Sequence, residues 1–135
     1  MERFEQTYKH KLIYVFSIPY DTHKGLLKVG DATLETDLKP DELVPNCRSL
    51  NQAAKGRIDE YTKTAGIPYT LLYTELAIKT EGGYSFSFRD KDVHKVLMNS
   101  GISKKQPNGQ TGDEWFQTNL ENVKNAIKAV KEGKK

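Results

Sequence analysis

The chain has 135 residues, 36% hydrophobic and 29% charged, and its 21 basic and 18 acidic residues give a net charge of +3. This length is typical of one domain and can bury enough apolar surface to fold without a metal or a disulfide. No apolar run reaches the length of about 18 residues that a membrane span needs, and Cys47 is the only cysteine, which excludes an internal disulfide and a cysteine-based zinc cluster. The start of the chain has no apolar stretch typical of a secretory signal, so we expect a reduced cytoplasmic protein with no membrane partner.

The first predicted unit is an antiparallel β-hairpin. Residues 11–18 (KLIYVFSI) form an apolar run rich in β-branched and aromatic residues, which predicts a buried strand. A turn containing Pro19 and Gly25 leads into a second strand at 26–32 (LLKVGDA). Gly30 lies inside this second strand, which indicates a bulge or a close backbone approach.

A loop and a helix are predicted next. Residues 33–47 are polar, contain two prolines and predict a loop with a short turn at 40–43. Ser49 and Asn51 are candidate N-caps for the helix that follows, and Gly66 is its expected C-terminal stop.

The middle of the chain predicts further extended structure. Residues 69–79 (YTLLYTELAIK) are a strand candidate, and a Gly-Gly pair follows them. Tyr84, Phe86 and Phe88 then alternate with polar residues, which predicts a half-buried strand.

The last part of the chain predicts two helices around a short apolar segment. Residues 90–99 have apolar side chains on one side and predict a helix, and Trp115 and Phe116 are expected to anchor in the core. Asn119 is expected to cap the final helix. Taken together, these elements predict an α+β fold with a small, partly antiparallel central sheet flanked by helices.

Generic catalytic motifs are absent from the sequence, including phosphate loops and the common metalloprotease and hydrolase signatures. His10, His23 and His94 are too scattered along the sequence to suggest a metal triad. The hairpin is more informative, because its two strands can present Tyr14 and Lys28 close together on one face.

Four short motifs follow one another along the chain. They are Leu12-Ile13-Tyr14, Lys28-Val29-Gly30, Arg57-Ile58-x-x-Tyr61, and Asp90-x-x-Val93-His94 paired with the later Glu114-Trp115-Phe116. In this order they resemble the motifs of the GIY-YIG nuclease superfamily, in a phage-derived branch whose second motif is Lys-Ile-Gly and which carries Glu-Trp-Phe. The resemblance extends over residues 11–127. It implies a single nuclease domain at 11–132. The first ten residues are polar and are expected to form a flexible arm, and residues 133–135 a basic tail.

The resemblance implies a DNA endonuclease that hydrolyses phosphodiester bonds with Mg²⁺ or Mn²⁺. It further implies a place in a restriction system, or fusion or association with a helicase or another DNA-binding subunit. Tyr14 would act as a base or orient water, Lys28 would pair with phosphate, and Arg57 would clamp the scissile phosphate. Tyr61 and His94 complete the catalytic residues that the resemblance implies, and Asp90 and Glu114 are the implied metal ligands.

The sequence leaves alternatives open at this point. The branch has glutamate where this chain has Asp90, whose shorter side chain is still a competent ligand for a hard cation. One alternative is a catalytically weak or inactive nucleic-acid-binding module on the same fold. The other is an interaction module with no nucleic-acid role.

Overall fold

The computed structural model of the chain describes residues 8–62, 66–104 and 115–133. The fold is α+β, with a four-stranded antiparallel sheet, a separate two-stranded sheet and three helices in the described part of the chain. The strands and helices are β1 (Tyr8–Ser17), β2 (Leu26–Thr36), α1 (Arg48–Thr62), β3 (Thr70–Leu76), β4 (Ile78–Glu81), β5 (Tyr84–Ser87), α2 (Asp90–Asn99), β6 (Trp115–Gln117) and α3 (Leu120–Lys131).

The main sheet has the strand order β3-β1-β2-β6, so β1 and β2 are its two inner strands. Consecutive residues of a strand point to opposite faces, and β1 is apolar on both. Leu12, Tyr14 and Phe16 pack with α1, whereas Ile13 and Val15 pack with α2 and α3. The continuous apolar run that predicts a buried strand therefore serves two cores, one on each side of the sheet.

The hairpin is longer than the sequence predicts. β1 begins at Tyr8, so the last three residues of the expected arm belong to the strand, and β2 continues to Thr36 instead of ending at 32. Tyr8 is opposite Thr36 in the ladder, and this pairing keeps polar residues extended that look like loop by composition. The expected turn at 40–43 is present as a single 3₁₀ turn, Pro40–Glu42.

The start of α1 also differs from the prediction. The helix begins at Arg48, so Ser49 and Asn51 lie inside it and do not form its N-cap. The Asn51 amide instead donates to the carbonyl of Asn46 at 3.1 Å and accepts from the Thr74 hydroxyl at 2.6 Å. These bonds fasten the beginning of α1 to β3, a tertiary role that local sequence does not reveal.

The expected strand at 69–79 is interrupted at Ala77, and the chain then forms the β4–β5 hairpin. This hairpin is a sheet of its own and not an extension of the main one. Tyr84 and Phe86 are 73% and 47% exposed, so the prediction of a half-buried strand is wrong for β5, and only Phe88 at its end is buried.

The later elements agree with the prediction. α2 covers Asp90–Asn99, Trp115 and Phe116 are buried in β6, and the Asn119 side chain accepts the N–H of Asn122 at the start of α3. In the three described stretches, no helix is both long enough and apolar enough to cross a membrane.

Candidate functional site

The outer edge of β2 changes its partners halfway along the strand. β6 pairs only with Leu26–Lys28. From Val29 onward, among the described residues, α2 takes the place of a strand: the His94 Nε2–H donates to the Val29 carbonyl at 2.7 Å, and the Asp90 N–H donates to Asp31 Oδ2 at 3.0 Å. We call this second part of β2, Val29–Thr36, the open edge.

Tyr14 reaches from β1 onto β2 at the beginning of the open edge. It is buried and lies opposite Gly30 in the ladder. A Cβ atom on Gly30 would lie 2.5 Å from both Cζ and the hydroxyl oxygen of Tyr14, so only glycine lets the phenol lie there. The close approach predicted from a glycine inside a strand is therefore present, and the group that approaches is this tyrosine.

Asp31, the residue after Gly30, is a carboxylate of the open edge with several hydrogen-bond partners. Its side chain is only 8% exposed, and it accepts from Arg89 Nε at 2.6 Å and Nη2 at 3.4 Å. Burial by itself raises the pKa of Asp31, but hydrogen bonds and charge from Arg89, together with hydrogen bonds from Asp90, outweigh burial and lower the pKa below its ordinary value. Asp31 is therefore ionised at neutral pH.

A cleft of about 530 Å³ lies beside the open edge, between α1 and the beginning of α2. Its charged lining residues are Lys11, Asp31, Arg57, Glu60 and Arg89. Arg57 lies on the α1 wall, where its Nη1 donates to Glu60 Oε2 at 2.9 Å, and both side chains are largely exposed. An exposed pair of this kind contributes little to stability.

Lys28 lies where the paired part of β2 ends. It is half-buried, opposite Phe16 in the ladder, and its ammonium group lies 5.9 Å from the centroid of the Phe16 ring. Phe16 also stacks on Tyr14 with ring centroids 5.9 Å apart. Lys28 and Tyr14 therefore lie on the same face of the sheet, with one residue pair, Val15 and Val29, between them in the ladder.

His94, one of the two remaining implied catalytic residues, has a described side chain, whereas Tyr61 does not. His94 is buried, and its ring packs on Phe116 with centroids 4.9 Å apart while it bonds Val29. These contacts favour a role in holding α2 against β2 over contact with a substrate. Tyr61 belongs to α1, about one helical turn after Arg57, but its side chain lies outside the described part of the structure.

Two carboxyl groups, those of Asp90 and Asp31, come together at the beginning of α2. Asp90 is the first residue of α2, is buried, and shares a side-chain hydrogen bond with Asp31. Two touching carboxyl groups repel unless a proton or a cation lies between them, and Mg²⁺ commonly uses one or two carboxylates together with substrate phosphate. Within the described residues no group of three or more potential ligands could hold an ion. Glu114, the other implied ligand, lies outside the described residues.

Of the residues implied by the resemblance, Tyr14 and Asp90 contact Gly30 and Asp31 of β2, and Lys28 lies two residues before Gly30. Arg57 lines the cleft beside residues 31–33, and the described lining of that cleft includes neither Tyr14, Lys28 nor Asp90. Asp31 and Arg89 join them, although the sequence analysis did not include either. Their only sequence signals are their positions, directly after Lys-Val-Gly and directly before the Asp90 motif. No protein-family model, curated protein or solved structure matches the chain.

Proposed function

We propose that the chain is a divalent-metal-dependent endonuclease domain that hydrolyses phosphodiester bonds of DNA. One observation supports this proposal: Arg57 lines a polar cleft beside residues 31–33 of β2, and Tyr14, Lys28 and Asp90 lie at the adjoining residues 28–31 of the same strand. These are the residue types that phosphodiester hydrolysis needs, and they correspond to the motifs that resemble the GIY-YIG superfamily.

Each side chain has a role that fits its surroundings. Arg57 is exposed on the cleft wall and presents a fork that matches two phosphate oxygens, so it binds the scissile phosphate and offsets the charge of the transition state. Tyr14 is held over Gly30, where its hydroxyl orients or deprotonates the attacking water. Lys28, on the same face, adds a second positive charge near the phosphate.

Asp90, with Asp31 beside it, would hold the cation at the beginning of α2. Mg²⁺ or Mn²⁺ bound there supplies Lewis-acid polarisation of the phosphate and stabilises the leaving oxygen. Asp31 is fixed by Arg89 and by the Asp90 N–H, so it keeps the carboxylate of Asp90 beside the open edge.

The second candidate function is a nucleic-acid-binding module without cleavage. The burial of Asp90 favours it, because a buried carboxyl group held against Asp31 has less freedom to coordinate a cation. This module would need only the cationic side chains of the cleft, and its affinity for DNA would depend on salt.

The test is nicking of supercoiled plasmid in Mg²⁺ or Mn²⁺, with EDTA as the metal-free arm. We expect Arg57→Ala and Asp90→Asn to lower the nicking rate by about 100-fold or more, since each removes a group that stabilises the transition state. Arg48→Ala is the matched control, because Arg48 is an exposed arginine at the opposite end of the same helix. Circular dichroism checks that every variant folds.

The outcomes separate the two candidates. Metal-dependent nicking that Arg48→Ala keeps and Arg57→Ala loses supports the nuclease. Nicking that survives Arg57→Ala would overturn it. Salt-dependent DNA binding without nicking would favour the binding module, and the absence of both binding and nicking would reject both candidates.

A further inference from the structure

Arg89 is a cation of the cleft to which the proposed chemistry gives no contact with the substrate. It immediately precedes α2 and lines the cleft together with Arg57, which lies on the α1 wall. The two arginines therefore come from separate elements on the two sides of one cavity.

Asp31 fixes the Arg89 guanidinium in one orientation. Asp31 Oδ2 accepts from Nε at 2.6 Å and Oδ1 accepts from Nη2 at 3.4 Å, so one edge of the planar fork lies against a carboxylate that is only 8% exposed. An arginine has five N–H donors in a fixed plane, and binding through this edge turns the Nη1 side away from Asp31. The side chain is nevertheless 57% exposed, so a positioned set of donors meets solvent beside the cleft.

The dimensions and charge of the cleft suit a nucleic-acid backbone. Its volume of about 530 Å³ is far larger than the roughly 30 Å³ that a water molecule takes in the liquid, so the cleft has room for a phosphate group and the water around it. Three cations and two carboxylates line it, and the positive excess lies on Lys11, Arg57 and Arg89. Arg89, Lys11 and the Asp90 N–H surround the Asp31 carboxylate and offset part of its negative charge.

We propose that Arg89 binds a second phosphate of the DNA strand whose scissile phosphate lies at Arg57. This inference rests on the proposed function and names how the same cleft holds its substrate. The strand crosses from the α1 wall to the beginning of α2, and the Asp31–Arg89 pair prepares the second contact before DNA arrives. A pre-oriented arginine loses less side-chain entropy on binding than a free one.

The experiment measures binding of a labelled 20-base-pair DNA duplex in EDTA, where cleavage does not interfere, across a series of salt concentrations. Each phosphate contact contributes about 0.9 to the slope of log K against log salt. We expect Arg89→Ala and Arg89→Gln each to reduce that slope by about one and to weaken binding about tenfold at low salt. Arg89→Lys keeps the charge, so it should keep the slope and lose only part of the affinity.

Two features of the design separate a phosphate contact from a purely structural role. Lys91→Ala removes the same charge from an exposed position two residues along the chain and should change the slope clearly less. Arg89→Gln retains an N–H donor for Asp31, so it guards against the case in which Arg89→Ala does not fold. Thermal unfolding of each variant reports any loss of stability independently of the salt slope.

The inference is overturned if Arg89→Gln keeps the wild-type slope, or lowers it no more than Lys91→Ala does. It is also overturned if the wild-type chain does not bind DNA. The proposed function fails in a different way, through nicking that is absent or independent of Arg57. If nicking depends on Arg57 but the slope of log K against log salt is the same with and without Arg89, the proposed function stands and only this inference is rejected.

Discussion

The two halves of the outer edge of β2 are built on different principles. Along Leu26–Lys28 the edge is closed by backbone pairing to β6, whose Trp115 and Phe116 are buried. Along the open edge, among the described residues, side chains and one backbone N–H from α2 make the contacts that a neighbouring strand would otherwise make.

The difference shows where this fold leaves room for chemistry. A buried carbonyl such as that of Val29 needs a hydrogen-bond donor. Because β6 pairs with β2 only as far as Lys28, His94 provides this donor. Where β6 pairs with β2, backbone N–H groups donate to the carbonyl groups of the neighbouring strand, and no charged side chain is needed for this. The open edge uses Asp31 and Arg89, which a ligand can also contact.

The closed half should show the largest effect on stability. Phe116 is fully buried, and Phe116→Ala removes its ring from the core between β2, α2 and α3. We expect the free energy of unfolding to fall by about 3–5 kcal/mol, measured by urea denaturation. Phe86→Ala is the matched control, because Phe86 is 47% exposed on β5, and its loss should be about 1 kcal/mol or less. Equal losses for the two variants would mean that β6 does not close the edge as described.

The beginning of the open edge should be sensitive to added volume. Gly30→Ala places a methyl group 2.5 Å from the Tyr14 ring, which must then move. We expect a loss of about 1–3 kcal/mol in the free energy of unfolding by urea titration. Gly56→Ala, in α1 with no atom within 4 Å of the added methyl, should instead stabilise the protein by up to about 1 kcal/mol.

A double-mutant cycle shows whether Tyr14 is the cause. In a Tyr14→Ala background the cost of Gly30→Ala should largely disappear, because the colliding ring is gone. An unchanged cost in that background would locate the strain elsewhere in β2.

Local patterns were sufficient to predict much of the fold. The β1–β2 hairpin, the bounds of α2 and the Asn119 cap all follow from residues close together in sequence. The alternation in β5 failed because its partner is β4 and not the core, so Tyr84 and Phe86 alternate without burial. Alternation reports extended backbone, but burial depends on what the rest of the chain places beside it.

The candidate site could be predicted only in part, and for the same reason. The motifs indicated Arg57 and Asp90, and the structure places them beside the same segment of β2. The contact between Asp31 and Arg89 joins residues 58 positions apart. The sequence around each residue does not indicate which residue it contacts, so the orientation of Arg89 follows from the tertiary fold.

The Asp31 carboxylate gives the smallest effect and the one most specific to the open edge. Burial opposes its ionisation, but Arg89 and Asp90 lower its pKa below the ordinary value, so the folded state binds this proton less readily than the unfolded state. The resulting stabilisation is present above the unfolded pKa of about 3.9 and is lost as the pH falls through the lower folded value. Asp31→Asn should therefore make the free energy of unfolding less dependent on pH below about 4, measured by urea denaturation from pH 2.5 to 7.

Asp37→Asn is the matched control for this titration, because Asp37 is an exposed aspartate that directly follows β2. The difference between the two variants isolates the contribution of Asp31, and the effect is small because asparagine still accepts the Asp90 N–H. If Asp31→Asn and Asp37→Asn had the same pH profile, the Arg89–Asp31 contact would not stabilise the open edge, and the Arg89 guanidinium would not be fixed before DNA binds. A flatter profile for Asp31→Asn alone would show that the charge of the Asp31 carboxylate holds the beginning of α2 against β2.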